Sequence, residues 1–271
     1  MRGATSRLKI IRIEDDRTRR FDDVVVKERP VTILLNDSEV ATLMCTPKNL
    51  DRLSVGFLFT EGLVRNRKDI KKVLADEKDG VVWVETRKPA GLPQNPGAKR
   101  YITTGCGRGL TFVDPTHERT TLGTRSKSRF PIGPLRLLMA EFLRKSKLFR
   151  LTGGVHSAAI CNLKGILVHA EDIGRHSAID RVVGECVLRG IPTKDKILIT
   201  TGRISSDIVV KAARGSAAVI ISKSAPTDLA VELASDFGIT LVGFARGTRM
   251  NVYSNAWRIV TKRDFTGKTR K

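Results

Sequence analysis

The stretch Thr103-Thr104-Gly105-Cys106-Gly107-Arg108-Gly109 sets one thiol among three glycines and an arginine. Glycines at that density disfavour both helix and strand, so Cys106 is expected on a mobile loop. Only a thiolate is a competent nucleophile, and the neighbouring Arg108 favours that form. A thiol so placed suits chemistry in which a group is accepted from one partner and handed to another. The alternative is a cysteine in a tight turn beside a strand; the flanking glycines argue only against deep packing. Cys161 and Cys186 fall within apolar strand and helix patterns and are expected to be core thiols. Cys45 precedes a helix start, where packing is the favoured role.

A second group of residues suits anion binding. Thr152-Gly153-Gly154-Val155-His156 lies between a helix and a strand. Glu171-Asp172-Ile173-Gly174-Arg175-His176, Thr201-Gly202-Arg203 and Ser224-Ala225-Pro226-Thr227 each follow a strand and precede a helix. Turns at strand carboxyl ends build the usual ligand crevice of open α/β sheets, and helix N-termini there favour phosphate. Any one of these turns could be ordinary helix capping. Together they nominate Thr152, Gly153, His156, Arg175, His176, Gly202, Arg203, Ser224 and Thr227. The run Phe244-Ala245-Arg246-Gly247-Thr248-Arg249 adds two arginines, whose forks match phosphate, and a glycine that permits close backbone approach. Its alternative is a basic turn between two strands.

His169-Ala170-Glu171 matches the H-x-E of zinc-dependent deaminases. The downstream P-C-x-x-C that completes such a site is missing, and Cys186 is the last cysteine, so no metal site is expected.

The elements that must position these residues differ between the two halves. The first half reads as mainly β, with strands at Leu8–Ile13, Val24–Val26, Val31–Leu35 and Glu39–Met44. A helix follows from Thr46-Pro47 to about Leu63, capped by the threonine hydroxyl. A hairpin then joins Ile70–Leu74 to Val81–Glu85, and Lys88–Lys99 reads as a loop rich in proline and glycine. In the second half a helix at Pro134–Phe149 precedes strands Val155–Cys161 and Ile166–Ala170. Helices at Gly174–Leu188, Ser205–Ala213 and Asp228–Phe237 then alternate with strands at Lys196–Thr200, Ala217–Ser222 and Ile239–Phe244, the pattern of βαβ crossovers. The expected architecture is an α+β, β-rich N-terminal domain over residues 1–130, carrying the cysteine loop, and an α/β domain over residues 131–271.

The 271 residues are 41% hydrophobic, enough for a substantial core. A net charge of +21 draws anions: nucleic acid, phosphorylated cofactors or acidic proteins. Nine of the basic residues lie in the first thirty positions, and Lys262, Arg263, Lys268, Arg270 and Lys271 form a basic tail without interleaved aromatics. No nucleic-acid-binding motif is present, and no specific nucleic acid is expected. Four scattered cysteines without a C-x-x-C pair indicate a reducing compartment, and no apolar run reaches membrane-spanning length. The expected location is the cytoplasm, with no membrane insertion.

Taken together the segments resemble the formate dehydrogenase accessory sulfurtransferase family. The resemblance runs from Met44-x-Thr46-Pro47 and Gly56-Phe57-Leu58-x-x-Glu61-Gly62 through the Cys106 loop. It continues with the Thr-Gly-Gly-x-His segment, the run from Glu171 to Asp180, Thr201-Gly202-Arg203, Ser224-Ala225-Pro226-Thr227 and Thr240 to Tyr253. It implies a larger domain with a cytidine-deaminase-like, three-layer α/β/α fold that lacks the deaminase zinc. It also implies a sulfurtransferase required for formate dehydrogenase activity, here with a single thiol. Sulfane sulfur would arrive from a cysteine desulfurase, ride as a persulfide on Cys106, and pass to a molybdenum–bis(molybdopterin guanine dinucleotide) cofactor bound as cargo. Phe244 to Arg249 would form the guanine dinucleotide segment. The expected partners are the desulfurase and the formate dehydrogenase catalytic subunit, and the expected assembly is a homodimer. Many family members carry a second cysteine three residues after the first. Here that position is Gly109, which puts a two-thiol relay in doubt. The competing expectation is a chaperone that binds the guanine dinucleotide cofactor without transferring sulfur.

Overall fold

The structure, a computed structural model, describes residues 3–88, 101–102, 110–111, 122–124, 126–261 and 264. Cys106 and nearly all of the Lys88–Lys99 loop lie outside the described residues. The chain opens with a long antiparallel ribbon of β1 (Thr5–Glu14) and β2 (Arg17–Val26). Next come β3 (Arg29–Leu35), β4 (Ser38–Cys45), helix α1 (Leu50–Thr60), β5 (Ile70–Asp76) and β6 (Val81–Thr86). Strands β3 to β6 form a sheet in the order β4-β3-β6-β5, and α1 packs on one face through Leu50, Leu53, Phe57 and Leu58. The β3–β4 turn has Asn36 and Asp37 at φ 48° and 66°. That left-handed pair suits a two-residue hairpin and is tolerated by these side chains.

Two short strands, β7 (Tyr101–Ile102) and β8 (Leu110–Thr111), pair with each other. They are followed by β9 (Phe130–Pro131), α2 (Ile132–Lys145), α3 (Lys147–Thr152), β10 (His156–Asn162), β11 (Gly165–Asp172) and α4 (Arg175–Arg189). The chain continues with β12 (Ile197–Thr200), α5 (Ser206–Arg214), β13 (Val219–Ser222), α6 (Asp228–Asp236), β14 (Thr240–Arg246), β15 (Arg249–Ser254) and β16 (Ile259–Val260). The large sheet has the order β11-β10-β12-β13-β14-β15; β12, β13 and β14 are parallel and the other pairings antiparallel. Strands β12 and β13 are buried along their whole length, as parallel strands covered on both faces must be. Helices α4, α5 and α6 cover one face of the sheet; Leu135, Leu138, Met139 and Phe142 of α2 cover the other. The crossovers read from the alternating pattern, and the three-layer α/β/α arrangement that the resemblance implies, are therefore the observed ones.

Three local expectations are corrected. The helix read over Pro134–Phe149 is two helices, because Ser146 Oγ donates to the Phe142 carbonyl at 3.0 Å and the chain turns there. Glu171 then accepts the amides of Leu148 and Phe149 at 3.0 and 2.8 Å, starting α3 afresh. The strand read at Val24–Val26 is the end of the ten-residue β2. The Thr46 hydroxyl does not cap α1, which begins at Leu50. Instead it accepts the Ile173 amide at 3.3 Å, tying the β4–α1 turn to the turn after β11.

The two sheets are joined by α1 against α4. A Cβ built on Gly56 would lie 1.7 Å from the Asp180 carbonyl oxygen, and one on Gly184 would lie 1.9 Å from that of Arg52. Backbone therefore meets backbone. Beside this contact Lys211 is buried with its Nζ 2.9 Å from Asp180 Oδ1, 3.1 Å from Glu61 Oε1 and 2.8 Å from Thr60 Oγ1. A buried ammonium is tolerable when several acceptors replace its water.

Candidate functional site

The carboxyl ends of β12, β13 and β14 finish at one edge of the large sheet. Because β10 runs antiparallel to β12, its first residue, His156, is brought to the same edge. There a hydrogen-bonded chain links the turns. His156 Nδ1 is 3.4 Å from Thr201 Oγ1, which also accepts the Ser157 amide at 3.0 Å. Ser224 Oγ donates to the Thr201 carbonyl at 2.9 Å, and the Ser224 carbonyl accepts the Phe244 amide at 3.1 Å. Ser222 Oγ braces the turn by donating to the Gly202 carbonyl at 2.6 Å and accepting the Ser224 amide at 2.9 Å. Four turns distant in sequence are thus held as one rim.

Positive charge gathers on that rim. Arg175 and His176 open α4, and Gly202 lies directly over Arg175: a Cβ on Gly202 would fall 2.9 Å from Arg175 Cβ, which explains the glycine. The His156 imidazole is held below its ordinary pKa, first by burial and then by the charges of Arg175, His176 and Arg203. It is therefore a neutral ring among cations at neutral pH. His176 Nε2 is 2.5 Å from Asp207 Oδ2, and Ser205 Oγ donates to the other oxygen of the same carboxylate. Burial pushes the Asp207 carboxyl up, but His176, Ser205 and the Ile208 amide outweigh it and hold the group well below the usual carboxylate range. Asp207 thus fixes the orientation of His176 and its Nε2–H.

Phe244 sits where the β14–β15 register breaks, with φ 50°. A bulky side chain in the left-handed region costs on the order of 1–3 kcal/mol, and such strain clusters at functional sites. The Arg249 guanidinium stands 5.7 Å from the Phe244 ring centroid, and Arg246 Nε donates to the Lys223 carbonyl at 3.4 Å. The result is a half-buried aromatic face beside exposed arginines, with the α4 and α5 amino ends on the other flank. That combination can stack a planar base and hold phosphates at the same time.

Of the residues nominated from sequence, the rim brings together His156, Arg175, His176, Gly202, Arg203, Ser224 and Phe244. Arg246, Gly247, Thr248 and Arg249 are exposed at the tip of the β14–β15 turn, while Ala245 is buried in the sheet. Thr152 and Thr227 have capping duties. Thr152 Oγ1 donates to the Leu148 carbonyl at 2.9 Å, Gly153 ends α3 at φ 67°, and Thr227 Oγ1 accepts the Ala230 amide at 3.4 Å to start α6. Sequence reasoning missed Asp207, which lies inside a helical pattern 31 positions beyond its partner His176. Thr201 was visible in the Thr-Gly-Arg motif but not singled out.

The other described thiols are inert by environment. Cys45, Cys161 and Cys186 are buried, and burial pushes each up to about 12. His169 Nε2 is 3.5 Å from Ser146 Oγ, and Glu171 caps α3. Among the described residues no group of three His, Cys, Asp or Glu could hold a metal ion. No helix among them is long and apolar enough to cross a membrane.

Residues 26–260 match the model of the FdhD/NarQ family. The chain belongs to that family. An FdhD/NarQ relative from Bacillus subtilis (strain 168), named "Sulfur carrier protein FdhD", is 39% identical over 248 residues, covering 92% of this chain and 95% of the relative. One of the same name from Staphylococcus aureus (strain JH9) is 41% identical over 253 residues, covering 93% and 95%. The crystal structure of a putative formate dehydrogenase accessory protein from Desulfotalea psychrophila superposes with a TM-score of 0.78 at 28% identity. It covers 95% of this chain and 100% of that one.

Proposed function

We propose that this protein carries sulfane sulfur on Cys106 from a cysteine desulfurase to the molybdenum of a bis(molybdopterin guanine dinucleotide) cofactor. The cofactor is cargo, made fit for the catalytic subunit of a formate dehydrogenase in the cytoplasm. The observation that carries the reading is the cation-rich rim from His156 to Phe244. It offers two helix amino ends and the exposed Arg203 to phosphates, with the buried Arg175 adding to the positive field, and an aromatic face to a guanine. The relatives named as sulfur carriers support the sulfur half of the reading.

Loading needs one thiol. The Cys106 thiolate attacks the outer sulfur of the desulfurase persulfide, a new S–S bond forms, and the desulfurase thiolate leaves. Sulfur changes hands without an external oxidant, so Gly109 in place of a second cysteine is no obstacle to loading. Mass spectrometry of the intact protein after incubation with a desulfurase and cysteine tests this. A gain of one sulfur that maps to Cys106 and is lost in Cys106→Ala is expected. Guanine nucleotide binding without any gain of sulfur would leave only the cofactor-chaperone reading.

A further inference from the structure

A second basic cleft lies away from the rim and shares none of its residues. It opens between the β4–α1 turn, the α2–α3 junction and the outer edge of β11, the terminal strand of the large sheet, and encloses ≈ 240 Å³. Lys48, Lys145, Lys147, Arg52, Arg181 and His169 line it. Its two carboxylates are already engaged. Glu185 pairs with Arg52 at 2.5 Å and Arg189 at 2.8 Å, and Glu171 is taken up by the α3 amides at 3.0 and 2.8 Å. Arg181 is likewise committed, to Asp172 at 2.7 Å and the Thr46 carbonyl at 2.6 Å. The ammonium groups of Lys48, Lys145 and Lys147 pair with no carboxylate among the described residues. With Arg52 and Arg181 these lysines outnumber Glu171 and Glu185 around the cavity, and the surplus positive charge favours a bound anion.

We infer that this cleft binds a small dianion with a phosphate-type head group. Lysine ammonium groups are compact point charges that suit a tetrahedral anion without the planar match that arginine demands. Ser146 Oγ donates to the Phe142 carbonyl, so it accepts from His169 Nε2–H, and His169 Nδ1 is left as an acceptor for a hydroxyl of the ligand. Ala4, Leu148 and Ala170 supply an apolar wall for a short organic tail. The volume lies below the roughly 300–1,000 Å³ of sites for drug-sized ligands, so a dinucleotide does not fit and a short phosphate monoester does. The cleft also touches both halves of the chain, so its occupant would bridge the β4–α1 turn to the large sheet.

The test uses the full chain and its four histidines. The His169 ring C–H resonance, assigned through His169→Gln, is followed while inorganic phosphate or glycerol 3-phosphate is added, with chloride at equal ionic strength as control. Saturable movement of that resonance with both phosphates and not with chloride is expected. The combined variant Lys48→Ala/Lys145→Ala/Lys147→Ala, at three exposed positions, should weaken binding at least tenfold. Absence of saturable movement, equal movement with chloride, or unchanged affinity in the variant would each overturn the proposal. His156 and His176 report on the rim independently, so failure of the cofactor reading is seen in different resonances.

Discussion

Replacing Lys211 with methionine removes the ammonium but keeps the length of the side chain. In the native protein that ammonium meets Asp180 Oδ1 at 2.9 Å, Asp180 Oδ2 at 3.1 Å and Glu61 Oε1 at 3.1 Å, with all three side chains at most 8% exposed. The variant leaves the buried Asp180 carboxylate without its counter-ion. Breaking a buried pair from one side costs about 3–5 kcal/mol, because the remaining charge loses its partner without regaining water. At 2–4 °C per kcal/mol for domains of comparable size, the melting temperature should fall by on the order of 6–20 °C. The pH dependence has a definite sign. Burial alone would lower the Lys211 pKa, but Asp180 and Glu61 raise it above its ordinary value, so its contribution is complete below roughly pH 10 and is lost as pH climbs through the folded value. Calorimetric melts of both proteins at pH 7 provide the measurement. A variant within 1 kcal/mol of wild type would refute the reasoning; Asp180→Asn added to the variant should restore part of the loss.

Gly184→Ala should separate α1 from α4, since its Cβ would fall 1.9 Å from the Arg52 carbonyl oxygen. A loss of about 3 kcal/mol, at the upper end for overpacking, is expected from the urea midpoint, and an unchanged midpoint would show that the helices part freely. Asp207→Asn should weaken GDP binding by roughly tenfold by freeing His176, as loss of a hydrogen bond to a charged group does, measured by calorimetry. Because the folded Asp207 pKa is depressed, its stabilising effect is present above about pH 4 and lost below, so the stability gap between wild type and variant should close only in acid.

Much of this was legible from residue patterns. The alternation after Gly174 fixed the crossovers, and turns rich in Ser, Thr and Gly at successive strand ends had to meet at one sheet edge. What escaped the sequence was set by partners far along the chain. The break between α2 and α3 depends on Glu171, which reaches back to the amides of Leu148 and Phe149, and helical periodicity carries no trace of it. The strand read at Val24–Val26 is too short because nothing local announces the ten-residue pairing with β1. Thr46 resembles a helix cap until the turn after β11 claims its hydroxyl. The role of His176 depends on Asp207, one βα unit later. Cys106, on which the proposed sulfur transfer rests, lies outside the described residues.

The glycine contact between α1 and α4 has a mechanical consequence. With no side chains between the two backbones, there is no cushion of rotamers to absorb displacement, and the helices move as one strut. That strut begins at Arg175 and His176 and carries the small sheet on its flank. Force applied to the small sheet is therefore transmitted to the amino end of α4 at the rim.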